Sequence, residues 1–352
     1  MKNIYLRLAE AHNQSLVLAT VIKTEGSTPQ KPGSSAIFSE KGLLIGTIGG
    51  GVVEGRVQAA AFEALRSKRS GYFTYDLSND ISRQEEAICG GQITVLLDAN
   101  PANSIVTFGQ LRDSIEQRIP GVLVSMVTAP GEESLMVDRY WMNSKIVPDI
   151  RSEFLEKISP VVQQQIKRGN SYDFREMTLS LSDEEPASLF LLEPVFPPDH
   201  LVIAGAGHIG RALAHMGNLL GFEVTVIDDR NEYANPLNIP DADHIIVKDI
   251  GVALFEMKKG ADTYIVIVTR GHNDDAEALK PCLGSGLAYL GMIGSKRKVA
   301  TMKHEFLEKG YATIEQWEKI YTPIGIEIGS QTVEEIAVSI AAQLVKVRSE
   351  RS

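Results

Sequence analysis

At 352 residues, with 43% hydrophobic and 23% charged residues, the chain is long enough for two domains whose cores need no disulfide or metal support. A formal net charge of -10 and a pI near 5.3 argue against a general nucleic-acid or anionic-membrane binder, which needs a basic surface. The two cysteines, Cys89 and Cys282, make neither a disulfide framework nor a CxxC pair, and no apolar stretch reaches about 18 residues, so a cytoplasmic protein without stable membrane insertion is expected.

Residues 2–12 read as an amphipathic helix with Ile4, Leu6 and Leu8 near its apolar side. SLVLATVIKTEG follows as a strand, STPQKPG as a loop, and SSAIFSEKGLLIG as a hairpin turning at Glu40-Lys41-Gly42. Next comes LIGTIGGGVVEGRV, with Gly46, Gly49, Gly50 and Gly51 packed into six positions ahead of a helical pattern through Val53, Val57, Ala61 and Leu65. YFTYDLS reads as a strand, and AICGGQITVLLDA as a turn entering another.

Asn100-Pro101-Ala102-Asn103 is a candidate break between subdomains. Beyond it SIVTF, GVLVSMVTA, SLMVD and SLFLLEPV read as strands, and RSEFLEKISPVVQQQIKRG as a helix with a kink expected at Pro160. PVFPPDH, with three prolines in seven residues, is the clearest linker.

From His200 the pattern becomes βα alternation: LVIAG, FEVTVID, HIIVK, TYIVIVT and LAYLGMI are apolar runs without strict alternation, as in a sheet covered on both faces. Gly205, Gly207 and Gly210 form G-x-G-x-x-G directly after LVIA and at the head of a helix, and His208 lies inside it. Asp228 falls 23 residues after Gly205, where an acid accepts a ribose 2′-OH, although Arg230 beside it weakens the choice of NAD over NADP. A Rossmann scaffold that binds no NAD, or another nucleotide, fits the same pattern. Two later tips sit at strand ends: TRGHNDD, with Arg270, His272, Asn273 and Asp274, and GMIGSKRK, with Gly294 and Ser295 before Lys296, Arg297 and Lys298. The second tip is either a phosphate-binding helix start or a solvated basic turn, and His272 either a proton-transfer group or a helix-cap residue. Thr332 and Glu335 have capping-box spacing.

The chain resembles the XdhC/CoxI family of xanthine dehydrogenase accessory proteins through AGAGHIG, VIDDR, TRGHNDD, LGMIGSKRK and TPIGIEIGSQTVEEIAVSIAAQL at one end, and GSTPQKPGSSAIF, GTIGGGVVE and AICGG at the other. That resemblance implies a factor that binds molybdenum cofactor, with or without a nucleotide extension, and assists its sulfuration with a cysteine desulfurase. It also implies delivery to a xanthine dehydrogenase-type hydroxylase as partner. On this reading Gly49, Gly50 and Gly51 form a backbone nest or close-packed turn leading to Glu54, and Cys89, Gly90 and Gly91 form a second turn. Cys89 then offers a thiolate near the metal, or else is a small apolar residue before a core strand. Glu54 is a hydrogen-bond acceptor, an acid/base group or an ordinary helix-start carboxylate. Two departures stand out: the family often has cysteine where this chain has Val52, and histidine where it has Arg270.

The fold class expected is α/β: an N-terminal mixed α/β region over 1–100, a middle α/β segment over 101–195, and a C-terminal Rossmann-like domain with a mostly parallel sheet over 199–349. The expected cofactor-binding set is Gly49, Gly50, Gly51, Cys89, Gly90, Gly205, Gly207, His208, Gly210, Asp228, Arg270, His272, Gly294, Ser295 and Arg297, with Cys89, Glu54 and His272 as catalytic candidates. A maturation factor is favoured over a conventional enzyme. The alternatives are an NAD-dependent oxidoreductase using Asp228 and His272, and a noncatalytic nucleotide-sensing adaptor, with a homodimer compatible with any of them.

Overall fold

In the first half of the chain, apolar residues on alternate positions build two antiparallel sheets. The computed structural model describes residues 4–11, 14–77, 90–129, 134–168, 173–182 and 186–351, and they fall into two units, 2–197 and 198–352. The first unit runs α1 (Ile4–Ala9), β1 (Val17–Glu25), β2 (Ser35–Ser39), β3 (Gly42–Gly46), α2 (Gly51–Ser67), β4 (Gly71–Asp76), β5 (Gln92–Asp98), α3 (Ile105–Glu116), β6 (Gly121–Thr128), β7 (Met136–Asn143), α4 (Ser152–Lys167), β8 (Arg175–Leu179) and β9 (Ser188–Val195). One sheet has the order β3-β2-β1-β5-β4 and the other β7-β6-β9-β8.

Strand alternation decides what each sheet face meets. Val17, Ala19 and Val21 of β1 pack with Val53, Val57 and Ala61 of α2, while Leu18 joins α1 and α3 in a second core with Leu123 and Trp141. On β6 the phase is the same: Val122 and Val124 face Phe154, Ile158 and Val162 of α4, whereas Val127 clusters with Ile22 and Leu96 of the other sheet. The two sheets therefore stack with a helix outside each. Each large aliphatic or aromatic side chain so buried contributes about 1.5–3 kcal/mol.

SIVTF, expected as a strand, is helical: it enters α3 through a short 3-10 turn at Pro101–Ser104. Val106 is 72% exposed, while Phe108 and Leu111 are buried at helical spacing beside Tyr5. Burial at i and i+3 outweighs the local strand preference of the β-branched residues. REMTL, not read as an element, forms β8 on the edge of the second sheet.

The second unit is β10 (His200–Ala204), α5 (His208–Leu219), β11 (Glu223–Asp228), β12 (His244–Val247), α6 (Ile250–Glu256), β13 (Thr263–Ile267), α7 (His272–Leu279), β14 (Tyr289–Met292), α8 (Lys296–Glu308), α9 (Ile314–Glu318) and α10 (Val333–Glu350). Its five strands are all parallel, in the order β12-β11-β10-β13-β14. Thr332 caps α10 and forms the expected capping box with Glu335. Helices cover both faces: α5 and α10 pack on one with Leu201, Ile203 and Tyr264, and α6, α7 and α8 on the other with Val202, Ile265 and Ile267. Among the described residues no helix is long and apolar enough to cross a membrane.

A polar cluster interrupts the first unit's interior. Tyr5 donates its hydroxyl to Glu193, and Arg139 pairs with Asp98, both side chains of that pair being almost wholly buried. Burial pushes the Glu193 carboxyl up to about 7, against the opposing pull of the Tyr5 hydroxyl and the Arg139 charge. The folded chain thus holds this proton more tightly than the unfolded chain, where the ordinary value is 4.5, so the stabilisation is complete below that value and is lost as pH rises through about 7. Urea melts across about pH 5 to pH 8 are expected to show wild type losing stability relative to Glu193→Gln, which keeps a neutral side chain throughout; parallel profiles would contradict this.

Candidate functional site

The glycine-rich turn of the first unit joins β3 to α2. Gly49, Gly50 and Gly51 have φ of 129°, 70° and 55°, three positive values in succession rather than the alternation of an anion nest, and only Gly49 of the three is crowded. Glu54, in the first turn of α2, reaches back so that its Oε2 accepts the Thr47 hydroxyl at 2.9 Å and the Ile48 N–H at 3.2 Å. It therefore braces the loop. Gly49 lies against Pro29, and Gly90 and Gly91 lie against Gly26, so both glycine turns pack on the loop that follows β1. A Cβ at Gly91 would stand 2.3 Å from the Glu25 carbonyl oxygen, whereas one at Gly90, Gly50 or Gly51 would meet nothing within 4 Å. Cys89 lies outside the described residues. Val52, the residue after the three glycines, is 43% exposed.

In the second unit the expected residues gather at the carboxyl ends of the parallel strands, where open α/β sheets hold ligands. The turn after β10 is tight: a Cβ at Gly210 would stand 1.9 Å from the Gly205 carbonyl oxygen, and Gly205 abuts Val268 at the end of β13. Gly207, by contrast, faces open space and precedes α5 with no side chain capping the helix. The first N–H groups of α5 are therefore available to an anion. His208 is exposed on that first turn.

Asp228, expected to accept a ribose, has its acceptor directions filled. Oδ1 accepts the Arg230 N–H at 3.0 Å and Arg230 Nε at 2.8 Å; Oδ2 accepts the Ala206 N–H at 2.8 Å and Arg230 Nη2 at 2.9 Å. Burial acts to raise its pKa, but the Arg230 fork and the two backbone donors outweigh it and hold the carboxyl down at about 2. Asp229 is exposed and takes Arg270 Nη2 at 3.0 and 3.1 Å, an ion pair from the tip of β11 to the tip of β13 across the end of β10. His272 opens α7, with Nε2 3.5 Å from Glu305 Oε2 on α8. Ser295 caps α8, its Oγ accepting the Lys298 N–H at 3.3 Å; Gly294 precedes it, and Lys296 and Arg297 are exposed on the first turn.

Sequence reasoning missed the buried partner of that basic tip. Asp275 is fully buried and receives both the Lys298 ammonium and the Thr269 hydroxyl, joining the TRGHNDD and GSKRK segments. Burial raises its pKa, opposed by those two donors. Nothing in the spacing of Asp274-Asp275 tells which of the two turns inward. Among the described residues no group of three or more His, Cys, Asp or Glu is placed to hold a metal ion.

A family model described as the XdhC Rossmann domain matches residues 201–344, and one described as the XdhC and CoxI family matches residues 9–76. The chain belongs to the XdhC and CoxI family. It is 25% identical over 340 residues to a probable xanthine dehydrogenase subunit of Bacillus subtilis (strain 168), covering 95% of this chain and 94% of that one. It is 35% identical over 150 residues to the uncharacterized protein YqeB of Escherichia coli (strain K12), a match covering 42% of this chain and only 27% of that relative. The crystal structure of a xanthine dehydrogenase from Bacillus halodurans is similar with a TM-score of 0.75 and 25% identity, covering 99% of this chain and 95% of that chain.

Within this XdhC and CoxI chain the two kinds of glycine separate by substitution. Gly91→Ala is expected to cost about 1–3 kcal/mol because its Cβ meets backbone, while Gly90→Ala stays within about 0.5 kcal/mol, both read from urea melts. Lys298→Met leaves Asp275 buried without its cation and is expected to cost about 3–5 kcal/mol; adding Asp275→Leu recovers most of the loss. A double variant no more stable than Lys298→Met would contradict that account.

Proposed function

We propose that this chain is an accessory protein of a xanthine dehydrogenase-type molybdenum hydroxylase, which binds molybdenum cofactor and hands it to the apoenzyme. The observation that carries the reading is the turn at Gly207: open space above the backbone, uncapped N–H groups at the start of α5, and no bound side chain in their place. That donor set fits a phosphate group, and the cofactor's pterin bears one. When bound, the cofactor supplies its own sulfur ligands to molybdenum. The chain's part is to grip the phosphate through backbone N–H groups and keep the rest oriented for transfer. The names of the Bacillus relatives support the choice of hydroxylase.

The alternative of an NAD-dependent oxidoreductase loses support at Asp228, whose carboxylate is engaged by Arg230. Purification from a cell that makes molybdenum cofactor, followed by metal analysis and pterin fluorescence after oxidation, tests the proposal. Molybdenum and pterin together are expected; absence of both, with no uptake of supplied cofactor, would sink it. Gly207→Ala places a Cβ in the open space with no neighbour within 4 Å, so it is expected to melt within about 3 °C of wild type while retaining about ten-fold less pterin. Undiminished pterin in that variant would place the cofactor elsewhere.

A further inference from the structure

A Rossmann unit that binds NAD reads the ribose with an acid at the end of its second strand. Asp228 stands at that position, and Arg230 has reached it first. The guanidinium gives Nε to Oδ1 at 2.8 Å and Nη2 to Oδ2 at 2.9 Å, while the N–H groups of Arg230 and Ala206 take the other direction on each oxygen. A guanidinium fork and a ribose diol are both two-donor groups for the same carboxylate edge, so one excludes the other. Tyr233 holds the guanidinium in place, its ring centroid 3.9 Å from Arg230 Cζ. Asp229 lies outside the buried position of Asp228, half-exposed and paired at the surface with Arg270 Nη2.

We propose that Arg230 is a specificity-determining residue that closes the ribose subsite. The glycine turn then takes a phosphate ester with no ribose to be read at β11, and discriminates against NAD-type dinucleotides. This rests on the phosphate-binding reading of the turn above and names its ligand class: a ribose-free phosphate ester rather than an adenosine diphosphate.

The test uses the full chain, wild type and Arg230→Met, titrated calorimetrically with NADH, NADPH and inorganic pyrophosphate. Met keeps an unbranched side chain and removes the fork, which leaves one free acceptor direction on each oxygen of Asp228. Pyrophosphate is expected to bind both proteins within about three-fold, since the turn is unchanged. NADH is expected to bind Arg230→Met about ten- to a hundred-fold more tightly than wild type, the worth of a charge-assisted contact to the ribose. Equal NADH affinity in the two proteins overturns the proposal. So does wild type binding NADPH more tightly than Arg230→Met does, which would make Arg230 a receptor for the 2′-phosphate. Failure of pyrophosphate to bind either protein removes the phosphate reading itself, and this inference with it, a result that NADH affinity alone does not mimic. If Arg230→Met does not fold because Asp228 is left buried without its cation, Arg230→Lys keeps a charge while losing the fork. It too must bind NADH more tightly than wild type, or the proposal fails.

Discussion

The carboxylate of Asp228 fastens together the edge of the second unit formed by the carboxyl ends of its strands. Its Oδ2 accepts the N–H of Ala206, the residue between the first two glycines, and so ties the turn after β10 to the end of β11. The turn then leaves no room for a Cβ at Gly210, whose position against the Gly205 carbonyl sets how closely α5 approaches the sheet. The direction of the uncapped α5 N–H groups follows from those two contacts. Arg230 completes the carboxylate's shell, which makes a buried charge tolerable: alone, an acid 2% exposed would carry a large desolvation cost.

The first unit uses the same backbone chemistry for a different end. Gly91 exists to let one loop touch another, because the carbonyl oxygens of Glu25 and Ser27 occupy the space a side chain needs. Glu54 spends its carboxylate on Thr47 and Ile48, holding the entry to α2 rather than facing outward as a free acid. Crowded glycines thus mark where the chain packs on itself. Open ones, Gly50, Gly51, Gly90 and Gly207, mark where backbone remains accessible.

Much of the fold was readable because burial on both faces leaves a direct trace. VTVID and YIVIV are continuous apolar runs and became central parallel strands; SEKG became the tip of the β2-β3 hairpin, with Ser39 opposite Gly42. SIVTF misled because its β-branched residues speak for a strand over four positions, whereas the helix is declared only by Leu111 further on. The glycine fingerprint was legible for a similar reason, since Gly205 and Gly210 each answer a backbone constraint. The side-chain pairings were not. A continuous apolar strand carries no period-2 phase, so VIDDR does not reveal that Asp228 turns in and Asp229 out, nor that Arg230 folds back on the first of them. Asp275 and Lys298, 23 positions apart, are joined only by the packing of α7 and α8.

These pairings change what the acids of the ligand edge can do. Read along the sequence, Asp228, Asp229, Arg270 and Lys298 are four charges at strand ends, available to a ligand in any combination. In the folded unit Asp228 is matched by Arg230, Asp229 by Arg270 and Asp275 by Lys298, so each charge already has an opposite partner. A ligand reaches the buried acids Asp228 and Asp275 only by first breaking their pairs, whereas the Asp229–Arg270 pair is half-exposed. Outside those pairs stand the backbone donors at Gly207 and the start of α5, which suit a compact anion, and the exposed side chains of His208, Lys296 and Arg297. Recognition of the remainder of a ligand would then come from shape and from other surfaces.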